Sequence, residues 1–231
     1  MSAAREALAD NGIYLMSAAE TGSLLRVGEK VWERFGAHWS NLAVDHYARD
    51  RGTRRLRRYG CFRLTTATGR FQLLQPRPFA QPQNSNPLYI GVNRIFEPLT
   101  DTFVADPVFA AVLRLLAECA AALNDPPEWI VSVHPFRVIG AADADGLAAP
   151  EGRHRDGVTL VSTLLIARHN ATGGESMVLD LAGRPLLTVT LDEPGTLLLA
   201  DDRRTLHDVS PVRPADSSSA AYRDVLVTTF A

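Results

Sequence analysis

A chain of 231 residues with 22% charged residues and a formal net charge of -2 is long enough to bury a core and enclose a pocket. With a pI near 6.3, it lacks the global positive excess that would draw nucleic acid or an anionic membrane. Its two cysteines, Cys61 and Cys119, are far apart with no C-x-x-C, which argues against a disulfide scaffold or a thiolate zinc site and fits a reducing compartment.

No run of about 18 apolar residues occurs, and the first residues carry acid side chains without an apolar signal core. The expectation is a soluble, cytoplasmic protein, a single domain over 1–231, acting on a small molecule. Its basic residues are nearly all arginine, Lys30 being the sole lysine. The arginine-rich stretch 49–58 is therefore read as a solvated strand face and turn.

Along 1–57 the apolar residues Ile13, Leu15, Met16, Leu24, Leu25, Val31, Trp32 and Phe35 recur at three- and four-residue intervals, which predicts covering helices. From Tyr59 the period changes to two, and CFRLTTATGRFQLL predicts a hairpin about Thr68-Gly69. The Pro-, Gln- and Asn-rich stretch 75–87 predicts an ordered loop over a pocket. Asp106-Pro107 opens a helix through 123, stopped by Asn124 to Pro127, with Leu113, Leu116, Ala120 and Leu123 as its buried stripe.

Beyond Trp129 the pattern predicts strands over 130–139, 158–167, 176–181, 186–191, 196–200, 207–212 and 222–230, with no helix between them. Closely spaced strands with turn signals point to a jelly roll or barrel, not a parallel α/β sheet. The expected architecture is a mainly β, cupin-like core over 58–231 with helices packed outside.

His154 and Asp156 form an H-x-D whose side chains point to the same side of an extended segment. His207 follows the aspartate by fifty-one positions. Two imidazoles and one carboxylate on one face of an octahedron leave three positions open, the donor set of non-haem ferrous oxygenases. Arg223 alternates with Val225, Val227 and Thr229 on one strand face. A guanidinium there needs a carboxylate from the protein or from a bound diacid, and Asp224 points to the opposite face.

His134 reads as a hydrogen-bonded wall residue, His169 as a loop residue, His38 and His46 as helix-surface residues, and Arg155 as pointing away from the metal. Cys61 and Cys119 read as small apolar fillers, and Tyr89, Asn93 and Arg94 as candidates for the pocket mouth. Two further readings accommodate the donor set: a non-catalytic metal-binding jelly roll that senses a metabolite, and a cupin-like metal hydrolase or isomerase. The second leaves Arg223 unexplained.

The pieces VHPFRV, PEGRHRDGV, RHNATGGES, EPGTLLLADDRRTLHDVSPVRPAD and YRDVLVTTF, with RRYGCF and NRIFEPL upstream, make residues 133–230 resemble the bacterial 2-oxoglutarate- and Fe(II)-dependent dioxygenases that hydroxylate free L-amino acids, the L-isoleucine 4-hydroxylase type. The resemblance implies a double-stranded β-helix, with His154, Asp156 and His207 as iron ligands and Arg223 on the distal carboxylate of 2-oxoglutarate. It also implies O2 as co-substrate, succinate and CO2 as co-products, and ascorbate as a helpful additive.

Asp156 favours hydroxylation, since halogenating relatives carry a small residue there. Val225 departs from the hydroxyl residue that many relatives place two positions after the arginine, so Thr159 or Thr163 is expected to supply that contact. An amino-acid substrate needs a cation for its carboxylate and an acceptor for its ammonium. Arg137 and Glu151 are the expected pair, and a homodimer is the base-rate assembly.

Overall fold

The computed structural model of the chain describes residues 1–50, 52–79 and 93–231. Helix α1 (Ser2–Asn11) ends at Gly12, whose φ of 76° makes the left-handed turn that glycine adopts without a Cβ penalty. The chain reverses there into strand β1 (Ile13–Met16). The spacing of Ile13, Leu15 and Met16 predicts helix, but these residues pair antiparallel with 197–200. A four-residue apolar run does not distinguish the two states, and an open sheet edge decides it.

Helices α2 (Ala18–Leu25) and α3 (Glu29–Gly36) follow, with a 3-10 turn at Ala37–Asn41, strand β2 (Ala43–Val44), helix α4 (His46–Arg49) and strand β3 (Arg54–Arg57). Strands β4 (Gly60–Thr65) and β5 (Arg70–Leu73) form the expected hairpin, with Gly69 at φ 63° closing the turn. Within the stretch 75–87, residues 80–87 lie outside the described residues.

After the short α5 (Asp101–Val104), helix α6 runs Pro107–Ala120. The Asp106 side chain accepts the Val108 N–H at 2.8 Å, and Pro107 sits where no N–H is needed. Residues 121–123 are turn, so the helix stops three residues short of the predicted end.

The remainder is strand: β6 (Glu128–Gly140), β7 (Leu160–His169), β8 (Ala171–Gly173), β9 (Glu175–Asp180), β10 (Pro185–Thr190), β11 (Leu197–Asp201), β12 (Thr205–Val209), β13 (Val212–Pro214) and β14 (Ala221–Phe230). The stretch 207–212, predicted as one strand, belongs to two, broken around Pro211, which cannot donate to a ladder.

The large sheet runs β1-β11-β7-β14-β6-β3-β2, with β4 added to the first half of β6 and β5 to β4. A second sheet runs β10-β9-β12, and β13 pairs with β8. This is the jelly roll of a double-stranded β-helix, mainly β with helices flanking it.

Alternation gives the large sheet two faces. Leu226 and Phe230 of β14 join Leu164, Leu199 and the α6 residues Phe109 and Leu116 in the main core. Phe230 is wholly buried against Trp129 at 5.9 Å between ring centroids, and deleting such a ring costs about 3–5 kcal/mol. The opposite face meets the second sheet, where Val225, Leu165 and Leu198 pack on Val178. The helices thus stiffen one face and leave the other free to line a cavity.

Candidate active site

His154 and His207 face each other across an isolated antiparallel bridge. The N–H of each donates to the other's carbonyl, at 3.1 and 2.9 Å, and the rings lie 4.2 Å apart. Asp156, two residues on, brings its carboxylate to the same place, so one donor atom from each of the three lies within 4.8 Å of the others. His154 Nε2 is 3.9 Å from Asp156 Oδ1, and His207 Nε2 is 3.8 Å from Asp156 Oδ2.

His154 Nδ1 stands 2.8 Å from the Gly152 carbonyl, which only accepts, so Nδ1 carries a proton and Nε2 is the ring nitrogen turned toward Asp156. Burial, then the neighbouring His154, pushes the His207 pKa below the ordinary histidine value, which favours the neutral ring that a cation needs. Two imidazoles and a carboxylate fit ferrous iron.

Behind the triad lies Asp202, itself 1% exposed. It accepts the N–H groups of Asp156, Gly157 and Val158 at 3.0, 2.7 and 3.0 Å. Burial, then the nearby Asp156, raises its pKa. Asp202 is not among the residues that the sequence motifs single out. Its signal is the acid pair 201–202 that follows the wholly apolar run 197–200, where a buried carboxylate has to find donors.

The triad opens into a cavity of about 520 Å³ lined from both sheets. Arg223, Val225, Val227 and Thr229 all face it, as the alternation along β14 requires. Arg223 is 1% exposed, and its Nη2 donates to Ser176 Oγ at 3.2 Å. Its Nε has no hydrogen-bond partner. Burial, then Arg168, pulls its pKa down to about 10, so it stays charged in a site that lacks a paired carboxylate among the described residues. Ser176 lies two positions along β9 from Val178, the register partner of His207, a distance of about 7 Å.

Thr163 lines the cavity, but its register partner on β14 is Val227, four positions and roughly 13 Å from Arg223. Thr159 is not among the described lining residues. Its N–H donates to the Phe230 carbonyl and its carbonyl accepts from Asp202. The hydroxyl beside Arg223 is Ser176, on a strand the sequence reading did not connect to it.

Glu151 lines the cavity, with Oε1 3.4 Å from His154 Nε2. Arg137 does not line it. On β6 the inward positions are Phe136 and Val138, so Arg137 points outward, where it bonds Asp224 through Nε and Nη2 at 2.7 and 2.6 Å and covers the Tyr222 ring. Alternation along β6 overturns its expected substrate contact.

The arginine-rich stretch is corrected too. Arg55 and Arg57 of β3 are 6% and 3% exposed and line the cavity with Arg94. The signal was the R-x-R spacing within a strand, which puts both side chains on one face. His134 stands in the cavity wall, stacked on Tyr59 and accepting from Arg57. Asn93 is exposed, and Tyr89 lies outside the described residues. His38 bonds Asp106, His46 is exposed, and His169 stacks on Tyr222 at the far end of β7.

A family model described as 2OG-Fe dioxygenase matches residues 36–229. A curated relative, the 3(1)-hydroxy-L-isoleucine 4-dioxygenase of Pantoea ananatis (strain AJ13355), is 24% identical over 158 residues. That match covers 66% of this chain and 63% of the relative, less than two thirds of its length. Among solved structures, a bsmA homologue from Methylobium petroleophilum PM1 is 35% identical, with a TM-score of 0.91 over 99% of this chain and 92% of that one. IDO from Bacillus thuringiensis has the same fold, with a TM-score of 0.81 at 19% identity, over 99% of this chain and 94% of that one.

Proposed function

The chain belongs to the 2OG-Fe dioxygenase family, and from that premise we propose that it hydroxylates an unactivated C–H bond of a free L-amino acid. The substrate gains one oxygen atom of O2, and 2-oxoglutarate takes the other and leaves as succinate and CO2. The observation that carries this reading is a His154, Asp156 and His207 donor cluster sharing one cavity with a buried arginine. The activity for which the Pantoea relative is named supports an amino acid as the substrate class.

His154, Asp156 and His207 would hold the iron, which when bound supplies the O2-dependent oxidation of the family. Arg223 and Ser176 receive the distal carboxylate of 2-oxoglutarate, with a charged partner replacing the water that the guanidinium lost on burial. The span of about 7 Å between the Ser176 and His207 rows leaves that dicarboxylate reaching toward the metal ligands. Val225, Val227 and Leu198 form apolar cavity wall that excludes water from the reacting C–H bond. Glu151 accepts the substrate's ammonium group.

The test is a mass-spectrometric screen of the common L-amino acids with the enzyme, Fe(II), ascorbate and 2-oxoglutarate. A product heavier by one oxygen, formed with equimolar succinate, is the expected result. Ligand binding without O2 consumption would convert the reading to a metabolite sensor.

A further inference from the structure

Arg55 and Arg57 leave β3 on the face that also carries Arg223, because Arg55 pairs with Val138 and Val138 with Arg223 across β6. Two strand spacings separate β3 from β14, about 10 Å. The cavity therefore has cationic groups on two sides, and one molecule of 2-oxoglutarate anchored at Arg223 accounts for only one of them.

Arg55 is occupied. It donates Nε to Asp45 at 2.9 Å and Nη1 to the Ala148 carbonyl at 3.0 Å, and its Nη2 lies 2.9 Å from the same carboxylate. Arg57 is less well served. Its Nη1 stands 3.6 Å from the Asp45 oxygen that Arg55 already holds, its Nη2 donates to His134 Nδ1 at 2.6 Å, and its Nε has no hydrogen-bond partner. Phe96 and Phe136 cover the guanidinium at 3.6 and 4.5 Å to their ring centroids. An arginine stacked in this way keeps its in-plane N–H edge for a planar oxyanion.

His134 adds a donor. A guanidinium cannot accept, so Nδ1 of His134 does, and the ring proton is on Nε2. Burial, then the charges of Arg57, Arg94 and Arg55, keeps the ring neutral. Arg94 covers the Phe79 ring beside it, 5.0 Å from the centroid. The carboxylate paired with this group, Asp45, is wholly buried and is not among the described lining residues. Residues 80–92 contain no Asp or Glu.

We propose that Arg57, with Arg94 and the Nε2–H of His134, forms a second anion subsite that takes the carboxylate of the substrate, which is therefore bound as a free acid and not as an ester, amide or thioester conjugate. The identity of the ligand rests on the amino-acid reading above. The subsite itself rests on the uneven pairing of buried charge in the cavity wall.

The test is calorimetric titration of the Mn(II)- and 2-oxoglutarate-loaded protein with the common L-amino acids and with their primary amides. At least one acid is expected to bind roughly tenfold or more tightly than its amide, the scale of a lost charge-assisted hydrogen bond. Arg57→Lys, which keeps the charge but loses the planar N–H fork, is expected to reduce that preference without weakening 2-oxoglutarate.

If no acid binds more tightly than its amide, the subsite is wrong, whether or not Arg57→Lys folds. Succinate release driven by an uncharged compound would then leave the hydroxylase standing without it. Preference for the acid with no one-oxygen product keeps the subsite and removes the hydroxylase.

Discussion

Asp202 holds the backbone of Asp156, accepting its N–H at 3.0 Å, while the same Oδ1 stands 3.8 Å from Nδ1 of His207. One buried carboxylate thus bears on both segments that carry the triad. Such outer-shell partners typically contribute 10–100-fold to metal affinity. Asp202→Ala is expected to lower Mn(II) or Fe(II) affinity by about that factor, because the Asp156 segment loses three acceptor contacts at once. Metal titration followed by calorimetry measures it, and an unchanged affinity removes Asp202 from the ligand scaffold.

Removing a ligand outright should do more. Asp156→Ala leaves two imidazoles and no charge-neutralising carboxylate, so metal binding and succinate formation are both expected to be lost. Mn(II) at 100 times its dissociation constant stabilises a folded protein by about 2.7 kcal/mol. The wild type should show this stabilisation in thermal melts, and Asp156→Ala should show none.

Arg223 gives a prediction about the co-substrate. Losing a charge-assisted hydrogen bond to a carboxylate costs about 1.5–3 kcal/mol, so Arg223→Met should raise the apparent KM for 2-oxoglutarate by roughly 10–100-fold, with metal affinity retained. Gly174→Ala offers a gentler probe. Its φ is +63°, and a Cβ there would sit 3.0 Å from Arg223 Cδ, displacing the guanidinium from Ser176. A smaller rise in the same KM is expected, and an equal KM for both variants and the wild type would detach this end of the cavity from 2-oxoglutarate.

The β-rich second half and the inward row from Arg223 to Thr229 were legible because period-two alternation is local, and a strand buried on one face writes it directly into the sequence. Arg137 was misplaced for the complementary reason. Its own alternation with Phe136 and Val138 was readable, but which face of β6 looks into the cavity depends on partners far along the chain. Ser176 and Asp202 escaped because their roles exist only across strand pairs and loops that spacing does not specify. The arginines of β3 were read as solvated since composition favours exposed arginine. Their burial is made tolerable by the aromatic rings, Asp45, the Ala148 carbonyl and His134 around them.

Asp45 is the residue on which that tolerance turns. Burial alone pushes its carboxyl up, but Arg55, Arg57 and the Ala48 N–H outweigh burial, and the folded pKa lies below the ordinary 3.8. A depressed folded pKa means that the stability from its ionisation is fully present above pH 3.8 and is lost as pH falls through the folded value. Asp45→Asn keeps an oxygen for the Ala48 N–H yet leaves two buried guanidinium groups without their counter-charge, a change that costs about 3–5 kcal/mol. Urea unfolding of the two proteins should therefore differ by about that amount at pH 7, and the difference should shrink steadily on acidification below pH 3.8. A gap that stayed constant with pH would mean that Asp45 acts through its shape and hydrogen bonds, and that the arginines of β3 are compensated by some other group.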